Sequence, residues 1–352
     1  MSEKLLEVDD LHTRFMTREN TVHAVEGVSF TVDEGEIVGI VGESGSGKSV
    51  TARSLIRLED PGHIARGSIT FDGIEMTEAS ETITRRVRGD GMAMVFQDPM
   101  ETLNPVFSVG EQIVESLKVH EQPERQRLLD YLNVPLFGSR KDRKQKRQRA
   151  IDLMGEVGIP HPDERISAYP HEFSGGMRQR AMLAIALARE PDLLVADEPT
   201  TALDVTIQAE ILERIRELNA ERGMAVLLIT HDLGVVAELC DKVVVMYAGQ
   251  VMEEGPVERV LTEPRHPYTE ALLGCMPQNT PRRSPLNVIE GQVPSMFGEP
   301  DGCPFANRCD YATQECEVGD LPPRTFDDHV SYCHHVERVG DDQGVSSAGV
   351  EQ

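Results

Sequence analysis

Residues 5–8 and 11–15 alternate apolar and polar positions, and residues 22–32 continue the alternation, so strands are predicted there. Glu34-Gly35 turns the chain into Ile37-Val38-Gly39-Ile40-Val41, an apolar run expected of a strand buried on both faces. Helical spacing follows over residues 50–58, and residues 67–71, closed by Asp72-Gly73, predict another hairpin. A short buried strand is expected at 92–96, ended by Gln97-Asp98-Pro99. From Leu103 to about Leu187 the period is mostly helical. Residues 193–196 and 225–230 read as buried strands, each preceded by a helix, at 177–189 and 207–221. Residues 243–247 and 250–253 form a hairpin around Ala248-Gly249. The pattern predicts an α/β fold: a parallel sheet core with an antiparallel β-layer and a helical subdomain at about 100–187.

Past Arg265 the pattern breaks. Ten prolines between Pro264 and Pro323 predict an irregular extension. The expected division is a nucleotide-binding domain at 1–265, the extension at 266–339 and a disordered tail at 340–352. A chain of 352 residues has ample length for such a core. No leader and no run of about 20 apolar residues is expected, so any membrane role passes through partners.

Charge narrows the partners. Sixty Asp and Glu against 35 Lys and Arg give a formal net charge of −25 and a pI near 4.8. A nucleic-acid partner is disfavoured, because phosphate backbones need a basic face. The acidic balance suits a salt-rich cytoplasm; GC-rich coding beside an ordinary acidic surface is the alternative. One basic island, residues 140–149, reads as an exposed helix start or loop with solvated charges; contact with an acidic partner or lipid headgroups is the other reading.

The chemistry starts where the apolar run 37–41 ends. Gly42-Glu43-Ser44-Gly45-Ser46-Gly47-Lys48-Ser49 is a G-x-x-x-x-G-K-S phosphate loop between a strand and a helix. Its glycines let successive N–H groups face one anion, and the helix terminus adds its dipole. Lys48 supplies a charge to the β- and γ-phosphates and Ser49 a hydroxyl to Mg²⁺. Strand 193–196 runs into Asp197 and Glu198, a Mg²⁺ ligand and a general base by position. Phe173-Ser174-Gly175-Gly176 opens a second anion-binding helix terminus.

The order of phosphate loop, Gln97, Ser174-Gly175-Gly176, Asp197-Glu198 and His231 resembles the ATP-binding subunits of ATP-binding-cassette (ABC) transporters over roughly residues 5–255. The resemblance implies ATP and Mg²⁺ as cofactors. It gives Phe15 an adenine-stacking role and Gln97 a role sensing Mg²⁺ and the γ-phosphate. It implies that Ser174, Gly175 and Gly176 meet ATP on a facing subunit. Asp204 is implied at the dimer interface, and His231 as the switch that holds the γ-phosphate and water. Phe173 and Met177 depart from the usual signature.

The extension narrows the group. His266-Pro267-Tyr268-Thr269-Glu270-Ala271-Leu272-Leu273 and Cys303-Pro304-Phe305-Ala306-Asn307-Arg308-Cys309 resemble importer ATPases of the dipeptide/oligopeptide/nickel group. That implies ATP-driven uptake with a second ATPase subunit (a paralogue, or a second copy of this chain), two permeases and an extracytoplasmic binding protein, at the cytoplasmic face of the membrane. Residues 103–118 are the candidate permease contact, and residues 123–149 exceed what the group needs. Peptides, nickel chelates and sugars stay open as cargo. A soluble ABC ATPase acting on DNA or ribosomes is disfavoured by the single cassette and the acidic balance. A phosphate-loop kinase or GTPase is disfavoured by the Ser174-Gly175-Gly176 signature.

Cys303, Cys309, Cys316 and Cys333 have gaps of five, six and sixteen residues. Four thiolates can hold Zn²⁺ or an iron–sulfur cluster. The resemblance implies a [4Fe–4S] cluster; zinc and unligated thiols remain alternatives, with His334 and His335 as substitute ligands. Cys240 and Cys275 are expected to be structural.

Overall fold

The structure, a computed structural model, describes residues 4–18, 20–118, 140–201, 203–276, 289–294, 296–298, 301–337 and 339. The expected tail at 340–352 and the first part of the 123–149 insertion lie outside them. The chain divides into two compact units, Met1–Ala79 with Leu227–Gln352, and Ser80–Val226.

The first unit contains an antiparallel sheet and a mixed sheet. β1 (Lys4–Met16) pairs antiparallel with β2 (Thr21–Asp33) and with β4 (His63–Phe71), and β4 pairs with β5 (Ile74–Glu75). Alternation works here because one face is covered: Leu6, Val8 and Leu11 are buried while Glu7 faces out. The predicted break between 8 and 11 is a register shift inside one strand, with Asp10 at φ 48°.

β3 (Ile37–Val41), buried at every position, lies parallel to β9 (Lys242–Tyr247). β9 turns back antiparallel into β10 (Gln250–Pro256). β8 (Ala225–Thr230), the strand in which the chain passes between units, neighbours β3. The helix after the phosphate loop is Lys48–Leu55, shifted from the predicted 50–58. It stops early because Arg57 takes a left-handed φ of 56°, which an α-helix cannot contain.

The extension is more regular than its prolines predicted. Its helix Pro267–Gly274 begins with Pro in the first turn, where the missing N–H costs nothing. β11 (Arg324–Phe326) and β12 (His329–Ser331) form a hairpin, and β12 pairs with β10 through Glu253↔Ser331. Tyr268 and Phe305 share one buried cluster with Val41, Val243, Val245 and Tyr247. The extension therefore completes the core of this unit.

The second unit pairs β6 (Met92–Val95) parallel to β7 (Leu193–Asp197). Its helices include Glu81–Asp90, Val109–Lys118, Arg140–Glu156, Gly175–Ala186 and Val205–Arg222. The stretch predicted as mostly helical is interrupted at 103–108 and 166–174. Ile113, Leu153, Phe173, Leu183 and Ile211 are buried among these helices. The basic island lies in the helix Arg140–Glu156: Lys146 pairs with Asp142 at 3.6 Å, and Arg149 with Glu156 at 2.6 Å and Glu190 at 2.7 Å. Partly exposed pairs of this kind stabilise by at most about 1 kcal/mol.

Candidate nucleotide site and cysteine cavity

In the first unit, Gly47 caps the helix Lys48–Leu55 with φ 95°, and an added Cβ would lie 2.4 Å from the Ala24 carbonyl. Only glycine fits there, so the loop N–H groups keep their curl. Lys48, buried, donates through Nζ to the carbonyls of Gly42 and Glu43, both at 2.8 Å, and to Ser46 Oγ at 3.3 Å. These contacts fix the ammonium at the loop's centre before any phosphate arrives. Ser44 and Gly45 are exposed on the loop, while Ser49 is half-buried. His231 follows β8 and is exposed; Asp232 beside it caps the next helix, accepting from Gly234 N at 2.8 Å. Phe15 is half-buried with its ring over Gly62, where an added Cβ would meet the ring at 2.8 Å.

In the second unit, Asp197 is fully buried at the end of β7. Glu198 follows at a positive φ of 47°, rare for a residue with a side chain. Its Oε2 accepts from Gln97 Nε2 and from Thr201 Oγ1, both at 2.8 Å. Two residues predicted from separate motifs therefore meet. Thr201 carried no signal in the sequence, since hydroxyls after such a strand are ordinary helix-start residues.

Ser174 caps the helix Gly175–Ala186 by accepting from Met177 N at 3.3 Å, and Asp204 caps Val205–Arg222 by accepting from Ile207 N at 3.0 Å. The two caps lie together. An added Cβ at Gly176 would stand 2.5 Å from Ile207 Cγ2, and one at Gly175 3.3 Å from Leu203. Ser174, Gly175 and Asp204 are exposed, and Val205 is 82% exposed. A capped helix N-terminus and an apolar side chain thus share one open surface.

The four predicted cysteines also meet. Cys303, Cys309, Cys316 and Cys333 line one small cavity with His266, His334 and His335. Burial pushes the Cys303 thiol up to about 12 and the Cys333 thiol up to about 11. Without a bound cation these groups stay protonated. Among the described residues, no three His, Cys, Asp or Glu side chains come close enough to hold one metal ion. His266 Nδ1 accepts from Tyr268 N at 3.0 Å, so the ring proton sits on Nε2. That Nε2 is buried without a hydrogen-bond partner, and burial pushes the ring's pKa down to about 3. Cys240, structural by expectation, is held protonated by burial, its thiol pushed up to about 12.

The chain matches the family described as "ABC transporter" over residues 25–201. It matches "Oligopeptide/dipeptide transporter, C-terminal region" over residues 252–316. It is 45% identical over 333 residues to the dipeptide transport ATP-binding protein DppD of Escherichia coli (strain K12), covering 94% of this chain and 96% of that protein. DppD of Bacillus subtilis (strain 168) is 45% identical over 317 residues, covering 90% of this chain and 89% of that one. Among solved structures, the ATP-binding cassette MJ0796, dimeric and bound to ADP and Pi, superposes with a TM-score of 0.61 at 25% identity, covering 72% of this chain and 98% of that chain. By its two family matches and its identity to these relatives, the chain belongs to the ABC transporter family, as an ATP-binding subunit of the peptide importer group.

Proposed function

We propose that this subunit hydrolyses ATP in a pocket completed by a second, paralogous ATPase and so drives di- or oligopeptides through two permeases. The carrying observation is the open surface formed by Ser174, Gly175, Asp204 and Val205 on a chain that also bears a phosphate loop. Such a surface suits nucleotide held by a facing subunit. Gly42 to Ser49 bind the phosphates, Ser49, Gln97 and Asp197 serve Mg²⁺, and Glu198 activates water. His231 orients the γ-phosphate and water, and Phe15 stacks on adenine. ATP then favours the closed pair and hydrolysis releases it.

Exposed apolar residues of the second unit support docking to permeases there. Met100, Val106, Phe107 and Tyr169 are all exposed, and Arg178 ties the first to the last region by donating to Met100 Sδ at 2.9 Å and Pro170 O at 2.7 Å. None of the helices among the described residues is long and apolar enough to cross a membrane. Peripheral attachment at the cytoplasmic face, with an extracytoplasmic binding protein delivering cargo, completes the reading. The net charge of −25 supports a salt-rich cytoplasm, where screening offsets self-repulsion. The purified chain alone is expected to turn over ATP slowly. Reconstituted with the second ATPase, two permeases and a peptide-loaded binding protein, it should speed up at least tenfold. Equal rates in both settings would end the proposal.

We read the cysteine cavity as the place of a [4Fe–4S] cluster, on its four thiols. Four thiols on one cavity, lined also by His266, whose Nε2 is buried without a hydrogen-bond partner, support a larger group carrying acceptor sulfurs. Cys303, Cys309, Cys316 and Cys333 would hold it; bound, it would supply a cross-link between chain segments and one-electron chemistry. Anaerobically purified protein is expected to carry about four irons and to absorb in the visible. Cys309→Ser should lose most of both. A colourless protein holding one zinc would reject the cluster.

A further inference from the structure

Glu43, in the phosphate loop, is held by the extension. Its backbone N–H donates to Tyr268 Oη at 2.9 Å. Its carboxylate receives Arg308 Nη1 at 3.0 Å and 3.2 Å. Tyr268 lies in the helix Pro267–Gly274, and Arg308 in the turn between Cys303 and Cys309.

Arg308 is built into place. Its side chain is 6% exposed, against 28% for Glu43. Nη1 also donates to Tyr247 Oη at 3.0 Å, Nη2 to Ile289 O at 2.9 Å, and Nε to Glu290 O at 2.8 Å. The guanidinium lies 5.7 Å from the Tyr247 ring centre and 5.9 Å from that of Phe305. Tyr247, Tyr268 and Phe305 pack with ring centres 4.7–5.4 Å apart. A planar fork so fully engaged has one orientation.

A bare carboxylate in an anion-binding loop repels a triphosphate. The fixed guanidinium cancels that charge, and Tyr268 pins the peptide that carries it. We propose that Arg308 and Tyr268 are positioning residues for ATP. Through Glu43 the extension keeps the phosphate loop electrostatically open to nucleotide. Affinity for ATP therefore depends on a segment that carries no nucleotide-binding motif. The proposal rests on residues 42–49 being the ATP-binding loop.

The test uses the full chain and direct titration with ATP and a fluorescent ATP analogue. Arg308→Gln is expected to weaken ATP binding about tenfold, with the defect shrinking as KCl screens the exposed carboxylate. Adding Glu43→Gln to Arg308→Gln should restore affinity to within about threefold of wild type, because the stranded charge is gone. A purely structural role for Arg308 gives no such rescue. Wild-type affinity in Arg308→Gln, or a double variant as weak as the single, overturns the proposal. Should Arg308→Gln fail to fold, Tyr268→Phe decides. It removes one hydroxyl and keeps the ring packing, so affinity should fall about threefold with an unchanged circular dichroism spectrum; unchanged affinity overturns the proposal. Wild-type protein whose ATP binding is absent, or indifferent to Lys48→Ala, sinks the loop reading itself. Lys48-dependent binding beside indifferent Arg308 and Tyr268 variants sinks only the positioning role.

Discussion

Glu198→Gln is expected to lower ATP turnover at least about 100-fold while leaving ATP affinity within about threefold of wild type. General bases contribute roughly 10²–10⁴-fold to such reactions. The substitution removes the basic oxygen and little else. Glutamine keeps the volume, and one amide oxygen can still accept from Gln97 Nε2 and Thr201 Oγ1, which now hold the carboxylate at 2.8 Å. The backbone at φ 47° is held by β7 on one side and the Thr201 turn on the other, so the side chain stays aimed. Because ATP binds and is not cleaved, the closed pair should accumulate with the second ATPase and be visible by size-exclusion chromatography. The checks are phosphate release, nucleotide titration and elution volume on one preparation. Turnover within tenfold of wild type would remove Glu198 from the role of base. Thr201→Ala supplies a graded comparison: it deletes the hydrogen bond from Thr201 Oγ1 and should slow turnover less than Glu198→Gln does.

What the sequence made legible follows from how local each signal is. β3 and β8 are buried at every position, so an unbroken apolar run suffices to find them. The phosphate loop is legible because its chemistry needs neighbours in sequence: Lys48 is held by carbonyls five and six residues away. The helix Glu81–Asp90 was missed because only Thr84 and Val87 are buried in it, too few to set a period. The three-residue strands β11 and β12 are too short to alternate visibly. The Glu43–Arg308 pair spans 265 residues, and no single-chain pattern marks a partner at that distance. The four cysteines were legible as a set, yet their convergence on one cavity beside His266 needed the fold.

Lys48→Ala should cost at least about 30-fold in ATP affinity. The ammonium is buried, and Gly42 O and Glu43 O fix it at 2.8 Å, so its position is set in the free protein. Binding a triphosphate then requires little ordering of the lysine, and its charge acts at full strength. A hydrogen bond to a charged group stabilises by about 1.5–3 kcal/mol net, which is roughly 10- to 150-fold for one contact. Alanine also strands two carbonyls that had a donor, at a cost to the loop of about 1–3 kcal/mol if water does not replace it. The two effects separate experimentally: a loop defect lowers the melting temperature without ATP, whereas the lost charge lowers the stabilisation that ATP adds. Lys48→Arg tests the geometry. It keeps the charge, but a planar fork cannot enter the space between the two carbonyls that a tetrahedral ammonium fills. Arginine is therefore expected to rescue less than a third of the lost affinity, on a logarithmic scale. An arginine variant binding ATP as wild type does would mean that charge alone suffices, and that the cradle of Gly42 and Glu43 carbonyls contributes nothing to recognition.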